Sequence, residues 1–347
     1  MQRKEILLRH GAWMRESGDS EVVLSSRIRF ARNLENFPFP HALSMEAAKE
    51  AEELMGKALT SLEVEGEKLN YLSLSDLTTV EQQVLIEKHL ASPALVNMRG
   101  ARGLALAGDH RLAVMVNEED HLRLQVLMPG LQLTKSYRLA DALDDALEDS
   151  LDFAYREAEG YLTACPTNVG TGLRASVMVH LPALAMTNQV QPVLGALAHL
   201  GLAVRGLYGE GSQAYGHIFQ ISNQITLGKS EEDIVTHLEA VTGQIVEHEL
   251  QARENLRQQV RLFLEDKVWR ARGTLQNARL LTSDDAINLL SLDRLGTDMG
   301  ILPKGKETFT TLLVDTHPGC LQYILNHELD AGQRDEQRAR LIRQAYN

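Results

Sequence analysis

The segment that most limits the fold is Leu173-Arg174-Ala175-Ser176-Val177-Met178-Val179-His180-Leu181, a densely apolar run that follows directly on Gly170-Thr171-Gly172. It is too short to span a membrane, it contains His180, and Pro182 comes next, so it reads as a strand buried on both faces. Such a strand belongs in a layered structure, and its surroundings agree. Pro192 to Leu200 has helical texture and Ala203 to Leu207 reads as another strand. Upstream, Val22-Val23-Leu24 leads into Ser25-Ser26-Arg27-Ile28-Arg29 and reads as a strand that ends in polar residues. Leu112, Val114 and Val116 alternate, Asn117 to His121 interrupt, and Leu122, Leu124 and Val126 alternate again, which predicts a hairpin with an acidic tip. Residues 44 to 60 and 78 to 91 carry helical apolar spacing, the second opened by a Thr78/Thr79 cap with Glu81 in its first turn. A short helix-like patch surrounds Trp13.

After Leu227 the texture changes. Ser230 with Asp233 resembles a capping box, and a charged, glycine-poor stretch continues to about Arg272. Ser283 to Leu295 and Glu336 to Ala345 also favour helix. A boundary is therefore expected near residue 252, dividing an α+β domain over 1–252 from an all-helical domain over 253–347.

Length and charge narrow the function. At 347 residues the chain can bury a sizeable core without staples. Cys165 and Cys320 are too isolated for a disulfide framework or a paired zinc motif, so a reducing, cytoplasmic setting is expected. The N-terminus reaches no apolar signal segment, and no membrane role is expected. A formal charge of −12 makes nucleic acid a poor partner.

Common nucleotide motifs fail on spacing. Gly228-Lys229-Ser230 resembles the end of a P-loop, but Asn223 stands where its first glycine belongs. Gly170-Thr171-Gly172 is not completed to G-x-G-x-x-G, and no V-A-I-K, H-R-D or D-F-G set occurs, which excludes a eukaryotic-type protein kinase. What remains is a spread of arginines at strand ends and turns: Arg27, Arg29, Arg123, Arg174 and Arg205. Guanidinium forks suit phosphate oxygens, although each arginine alone is equally at home in a surface salt bridge. Glu118, Glu119 and Asp120 crowd the hairpin tip and Glu210 lies in a glycine-flanked turn; these carboxylates suit a cation such as Mg²⁺ or merely a solvated turn. Cys165 is a nucleophile or a small buried hydrophobe.

Together the segments Ser25–Arg29 with Arg32-Asn33, Val116–Arg123, Cys165–Ser176 and Arg205–Glu210 resemble, in order, the motifs of the ATP:guanidino phosphotransferases, the family of creatine and arginine kinases. The resemblance implies a catalytic domain built on an antiparallel sheet flanked by helices. Small-molecule members carry a helical N-terminal domain ahead of the first motif, for which 24 residues leave no room, and they lack the helical C-terminal part. Both departures, and Arg334-Asp335-Glu336-Gln337-Arg338-Ala339 as an RDxxRA element, resemble the bacterial McsB-type protein-arginine kinases.

That resemblance implies Mg-ATP held by Ser25, Ser26, Arg27, Ile28, Arg29, His89, Arg123, Arg174, Ala175, Ser176, Val177, Met178, Arg205, Gly206, Leu207, Tyr208, Gly209 and Glu210, with no metal site of the protein's own. It makes Glu119 the base, Glu210 the carboxylate that orients the acceptor guanidinium, and Cys165 its neighbour. Arg334, Asp335, Arg338 and Ala339 would bind phosphoarginine, Arg334 and Arg338 by forked contacts. Expected partners are arginine-containing protein substrates, a zinc-binding activator, a heat-shock repressor, a Clp-type chaperone-protease and a second copy of the chain. A kinase of free arginine and an inactive phosphoarginine-binding adaptor are the alternatives.

Overall fold

The computed structural model describes residues 3–15, 21–206 and 215–346. The strands in chain order are β1 (Val23–Arg32), β2 (Glu63–Val64), β3 (Glu67–Lys68), β4 (Asn70–Ser73), β5 (Gly103–Leu106), β6 (Leu112–Val116) and β7 (Leu122–Pro129). Then come β8 (Tyr155–Arg156), β9 (Gly160–Tyr161), β10 (Leu173–His180), β11 (Leu202–Gly206) and β12 (Ile218–Asn223). Eight of them form one sheet in the order β11-β12-β10-β1-β7-β6-β5-β4. Every neighbouring pair in it is antiparallel.

The helices are α1 (Arg3–Leu8), α2 (Met45–Ser61), α3 (Thr79–Glu87), α4 (Pro93–Asn97), α5 (Leu133–Glu148), α6 (Pro182–Met186) and α7 (Val190–Ala196). They continue as α8 (Glu231–Gln259), α9 (Arg261–Asn277), α10 (Ser283–Asp298), α11 (Phe309–Asp315), α12 (Pro318–Leu325) and α13 (Ala331–Tyr346). The Thr78 cap is a full capping box, with Glu81 returning a bond to the Thr78 N–H at 2.9 Å. At Ser230 only half of that device forms: its Oγ accepts from the Asp233 N–H at 3.1 Å.

One expectation about a boundary is corrected. The polar residues Ser25 to Arg29 do not end a strand; β1 runs through them to Arg32 at the middle of the sheet. Residue 252 lies inside α8, and the helical run is interrupted at Val260, whose ψ of 38° is non-helical. The short helices α11 and α12 were not anticipated.

The two faces of the sheet differ. One is covered by α2, α5 and α8 over a core that includes Ile28, Phe30, Val126, Ala175, Val177 and Ile221. On the other face two separate cores cover the two ends. Met115 and Leu127 pack with Val84 and Leu85 of α3 at one end, while Met178 and Ile218 pack with Leu290, Leu313 and Ile342 of the C-terminal helices at the other. The middle of this second face, between the two apolar clusters, is where alternating side chains of β1, β7 and β10 emerge.

Candidate active site

Period-two alternation sends Arg27 and Arg29 of β1 to that open middle. Register places Arg174 opposite Arg29, Ser176 opposite Arg27, and Arg123 opposite Ala31, so all share the face. Gln220 of β12 lies opposite Met178, and Arg205 of β11 lies opposite Gln220, which brings the fifth arginine to the same side. Five arginines distant in sequence are thus gathered on one sheet face.

Arg123 meets carboxylates at the hairpin tip, whereas the partners of Arg27 are neutral. Arg27 donates through Nη2 to Gln220 Oε1 at 2.7 Å and through Nε to Ser176 Oγ at 3.3 Å. The buried Nε of Arg29 has no hydrogen-bond partner among the described residues. Burial, and then the charges of Arg123, Arg174 and Arg205, push the Arg27 guanidinium down to about 10. Burial and the neighbouring Arg27, Arg123 and Arg174 push Arg29 well down, against a small opposing pull from Glu118. A cluster of like charges in a desolvated setting is costly alone and is relieved by a polyanion with several acceptor oxygens.

The predicted phosphate-binding spans enter this face by alternate residues. Ser25, Ser176 and Met178 line it beside Arg27, His89 and Gln220. The side chains of Ser26, Ile28, Ala175 and Val177 point to the opposite face, although Val177 still borders the pocket. Ser26 Oγ bonds Gly130 O and the Gln132 N–H, both at 2.8 Å, and the other three lie in the main core. The strand pleat makes this unavoidable once Arg27 and Arg29 face the site. Gly206 ends β11 opposite Phe219. Leu207, Tyr208, Gly209 and Glu210 lie outside the described residues.

At the hairpin tip Asn117 takes a left-handed conformation (φ 55°), and its N–H bonds His121 O at 2.9 Å to close the turn. The three acids there have three environments. Asp120 is fully buried and accepts from Asn33 Nδ2 at 2.6 Å and the Ala164 N–H at 2.7 Å, which ties the tip to the Cys165 loop; burial pushes its carboxyl up. Glu118 is buried, takes a bond from the Ser92 hydroxyl, and pairs with Arg123 at 2.7 Å. Glu119 keeps 43% of its side chain exposed and touches Arg123 at 3.2 Å. It borders an open cavity of about 600 Å³, with His41, Met98 and Ala164 around it. Cys165 is half-buried, its Sγ 3.0 Å from Thr167 Oγ1.

Arg32 and Asn33, quoted with the first motif, brace the site. Arg32 forks onto Asp144 through Nε at 2.9 Å and Nη2 at 2.5 Å, with its guanidinium 3.5 Å from the Tyr161 ring centroid. Gly172, at φ +65°, leaves room for that guanidinium, since a Cβ there would come within 2.6 Å of Arg32 Nη1. Asn33 holds the His121 N–H at 2.9 Å as well as Asp120.

A larger cavity of about 700 Å³ opens over Arg27 and Arg29. His89 lines it, with φ 59° and its ring edge-on to Trp13 at 5.2 Å; burial, Arg27 and His317 push the imidazole down to about 3, so it is neutral. Gln125, Gln220 and His317 also line it and were missed from sequence. Gln125 was accessible to pattern reading, two residues beyond Arg123 on an alternating strand. Among the described residues no group of three or more His, Cys, Asp or Glu side chains is arranged to hold a metal.

The C-terminal element is corrected in one respect. Arg338 does not offer a free fork: it is buried and donates to Thr316 O at 2.9 Å, Leu281 O at 2.8 Å and Asp335 Oδ1 at 2.6 Å. Ala339 lies in the core of the C-terminal helices. Arg334 and Asp335 are half-exposed.

Comparison with known proteins supplies the family. Residues 50–252 match the model of the ATP:guanido phosphotransferase C-terminal catalytic domain, and residues 261–347 match that of the protein-arginine kinase McsB C-terminal domain. A protein-arginine kinase of Moorella thermoacetica is 49% identical over 344 residues, 97% of this chain and 98% of that protein. One of Halalkalibacterium halodurans is 48% identical over 334 residues, 95% of this chain and 94% of that protein. Among solved structures, lombricine kinase aligns with a TM-score of 0.58 at 28% identity, covering 67% of each chain. The duplicated taurocyamine kinase of Schistosoma mansoni with bound transition-state-analog components aligns with a TM-score of 0.61 at 28% identity, covering 75% of this chain and 39% of that one.

Proposed function

The chain belongs to the ATP:guanido phosphotransferases, in the branch of the protein-arginine kinases, and from that premise we propose that it transfers the γ-phosphoryl group of ATP to arginine side chains of proteins. The observation that carries this reading is the gathering of five arginines on one sheet face, Arg27 among them held only by a glutamine and a serine, bordered at one edge by the exposed carboxylate of Glu119. Phosphoryl transfer depends on in-line placement and charge stabilisation more than on covalent help. Arg27, Arg29, Arg123, Arg174 and Arg205 would hold the phosphate oxygens, and His89 and Met178 would border the remainder of the nucleotide. Mg²⁺ would arrive with ATP and neutralise phosphate charge.

The acceptor guanidinium has a pKa above about 12 and no free lone pair while protonated, so a base must act. Of the three tip acids, Asp120 and Glu118 are occupied in buried contacts, which leaves Glu119. It takes the proton as the guanidino nitrogen forms its bond to phosphorus and the bond from phosphorus to the ADP oxygen breaks. Glu210 would orient the acceptor from its own turn, and Cys165 would lie beside it without becoming phosphorylated. Arg334 and Asp335 would contact phosphoarginine, with Arg338 positioning Asp335.

The same reading carries the wider setting: a cytoplasmic homodimer that answers stress by marking proteins for a Clp-type chaperone-protease, together with a zinc-binding activator and a heat-shock repressor.

Glu119→Gln tests the base. It keeps an acceptor for Arg123, so Mg-ADP binding by calorimetry should stay within about twofold while phosphoryl transfer falls by about 10²–10⁴-fold. Full turnover in this variant would remove Glu119 from the role.

A further inference from the structure

The large cavity over the arginines has a second wall that the catalytic sheet does not supply. Opposite Arg27 and Arg29 it is closed by Leu313 and Val314 of α11, by His317 and Pro318, and by Asp284 at the start of α10. The His317-Pro318 turn is fixed from both sides. Its preceding carbonyl, Thr316 O, accepts from Arg338 Nε at 2.9 Å. The N–H groups that follow, of Gly319 and Cys320, donate to the Glu87 carboxylate at 2.9 and 2.7 Å. Glu87 ends α3 two residues before His89, so one short stretch both clamps the C-terminal wall and supplies a wall of the catalytic side.

The chemistry of the cavity changes across its width. The arginine side offers charge. The far side is mainly apolar, with the His317 imidazole in it and Asp284 at its mouth, and His89 stands between it and the arginines; burial pushes both imidazoles down. Neutral flat rings among Leu313, Val314 and Pro318 suit a planar heterocycle, whereas the arginines suit its phosphates. The volume of about 700 Å³ lies within the ordinary range for ligand sites.

We propose that the nucleotide site is shared between the two parts of the chain, with the phosphates on the sheet and the base against the His317-Pro318 turn and Val314, which makes these C-terminal residues determinants of nucleotide recognition. This rests on the kinase reading above. It also gives the helical region a direct part in the reaction: loosening it weakens ATP binding.

The test compares two ligands on the full chain by calorimetry. Mg-ADP carries a base, while tripolyphosphate presents only phosphates. His317→Ala removes one wall, and Asp284→Trp places bulk at the cavity mouth from an exposed helical position, with Asp284→Asn as its charge control. His317→Ala and Asp284→Trp should each bind Mg-ADP about tenfold more weakly, tripolyphosphate should change less than twofold, and Asp284→Asn should match wild type. If His317→Ala fails to fold, Asp284→Trp decides alone. Mg-ADP affinity unchanged in the folded variants, or equal losses for both ligands, would overturn the shared site while leaving the kinase reading intact. Wild-type protein that binds neither ligand would remove both.

Discussion

Arg29 and Arg32 lie on the same strand, yet the regions they face treat a buried guanidinium in opposite ways. Arg32 points into a layer where Asp144 meets it with a fork and Tyr161 stacks on it. Arg253 with Glu249 at 3.0 Å and Arg272 with Asp293 at 2.5 Å repeat that pattern under the C-terminal helices. On the second face of the sheet, Arg27 meets a glutamine and a serine, and Arg29 meets other arginines. A buried cation with its own carboxylate is part of the framework. Cations crowded together with neutral partners leave their charge for a ligand.

The largest expected effect comes from breaking the framework side. Arg32→Leu leaves Asp144 buried without its partner and should lower stability by about 3–5 kcal/mol in chemical denaturation. Replacing both, Arg32→Leu with Asp144→Leu, should recover most of that loss; a double variant as unstable as the single one would show that Arg32 acts through something other than charge pairing. On the site side the signs reverse. Arg29→Leu should reduce turnover by about 10²–10³-fold while leaving stability equal to wild type or higher, because it removes a like charge from a crowded face. A strongly destabilised Arg29→Leu would erase the distinction between the two regions.

The smallest effect concerns the brace behind the hairpin tip. His121 is buried, and burial pushes its imidazole down to about 4. Between pH 6.5 and 4 the unfolded chain therefore binds a proton at this position that the folded chain does not, so stability falls as pH falls through that window. Relative to His121→Asn, wild-type stability should decline by up to about 1.4 kcal/mol per pH unit there and hold a constant offset above pH 7. A constant offset down to pH 4 would place His121 in solvent contact.

The comparison also separates what was legible in the sequence from what was not. Periodicity marked the hairpin, the strand after Gly172 and the capped helix at Thr78, because those signals are local. The i, i+2 spacing of Arg27 and Arg29 already put them on one face. The fate of the remaining charges depended on partners far away in sequence. Nothing local separates Glu118, Glu119 and Asp120; their difference comes from Ser92, Arg123 and Asn33. Arg338 looks like a reader of anions in its motif, but Thr316 and Leu281 carbonyls take it into the framework. The polar run Ser25 to Arg29 looked like a strand end because a site in the middle of a sheet carries the same alternation of polar and apolar residues as a solvated edge.

The most direct test of the central claim is where the phosphate goes. The protein would be incubated with Mg-ATP and either free arginine or an unfolded arginine-containing protein, and the products read by mass spectrometry under non-acidic handling that preserves the P–N bond. Phosphate on protein arginines with little on free arginine is the predicted result. Free phosphoarginine with an unmodified protein, or no transfer to either acceptor, would contradict it.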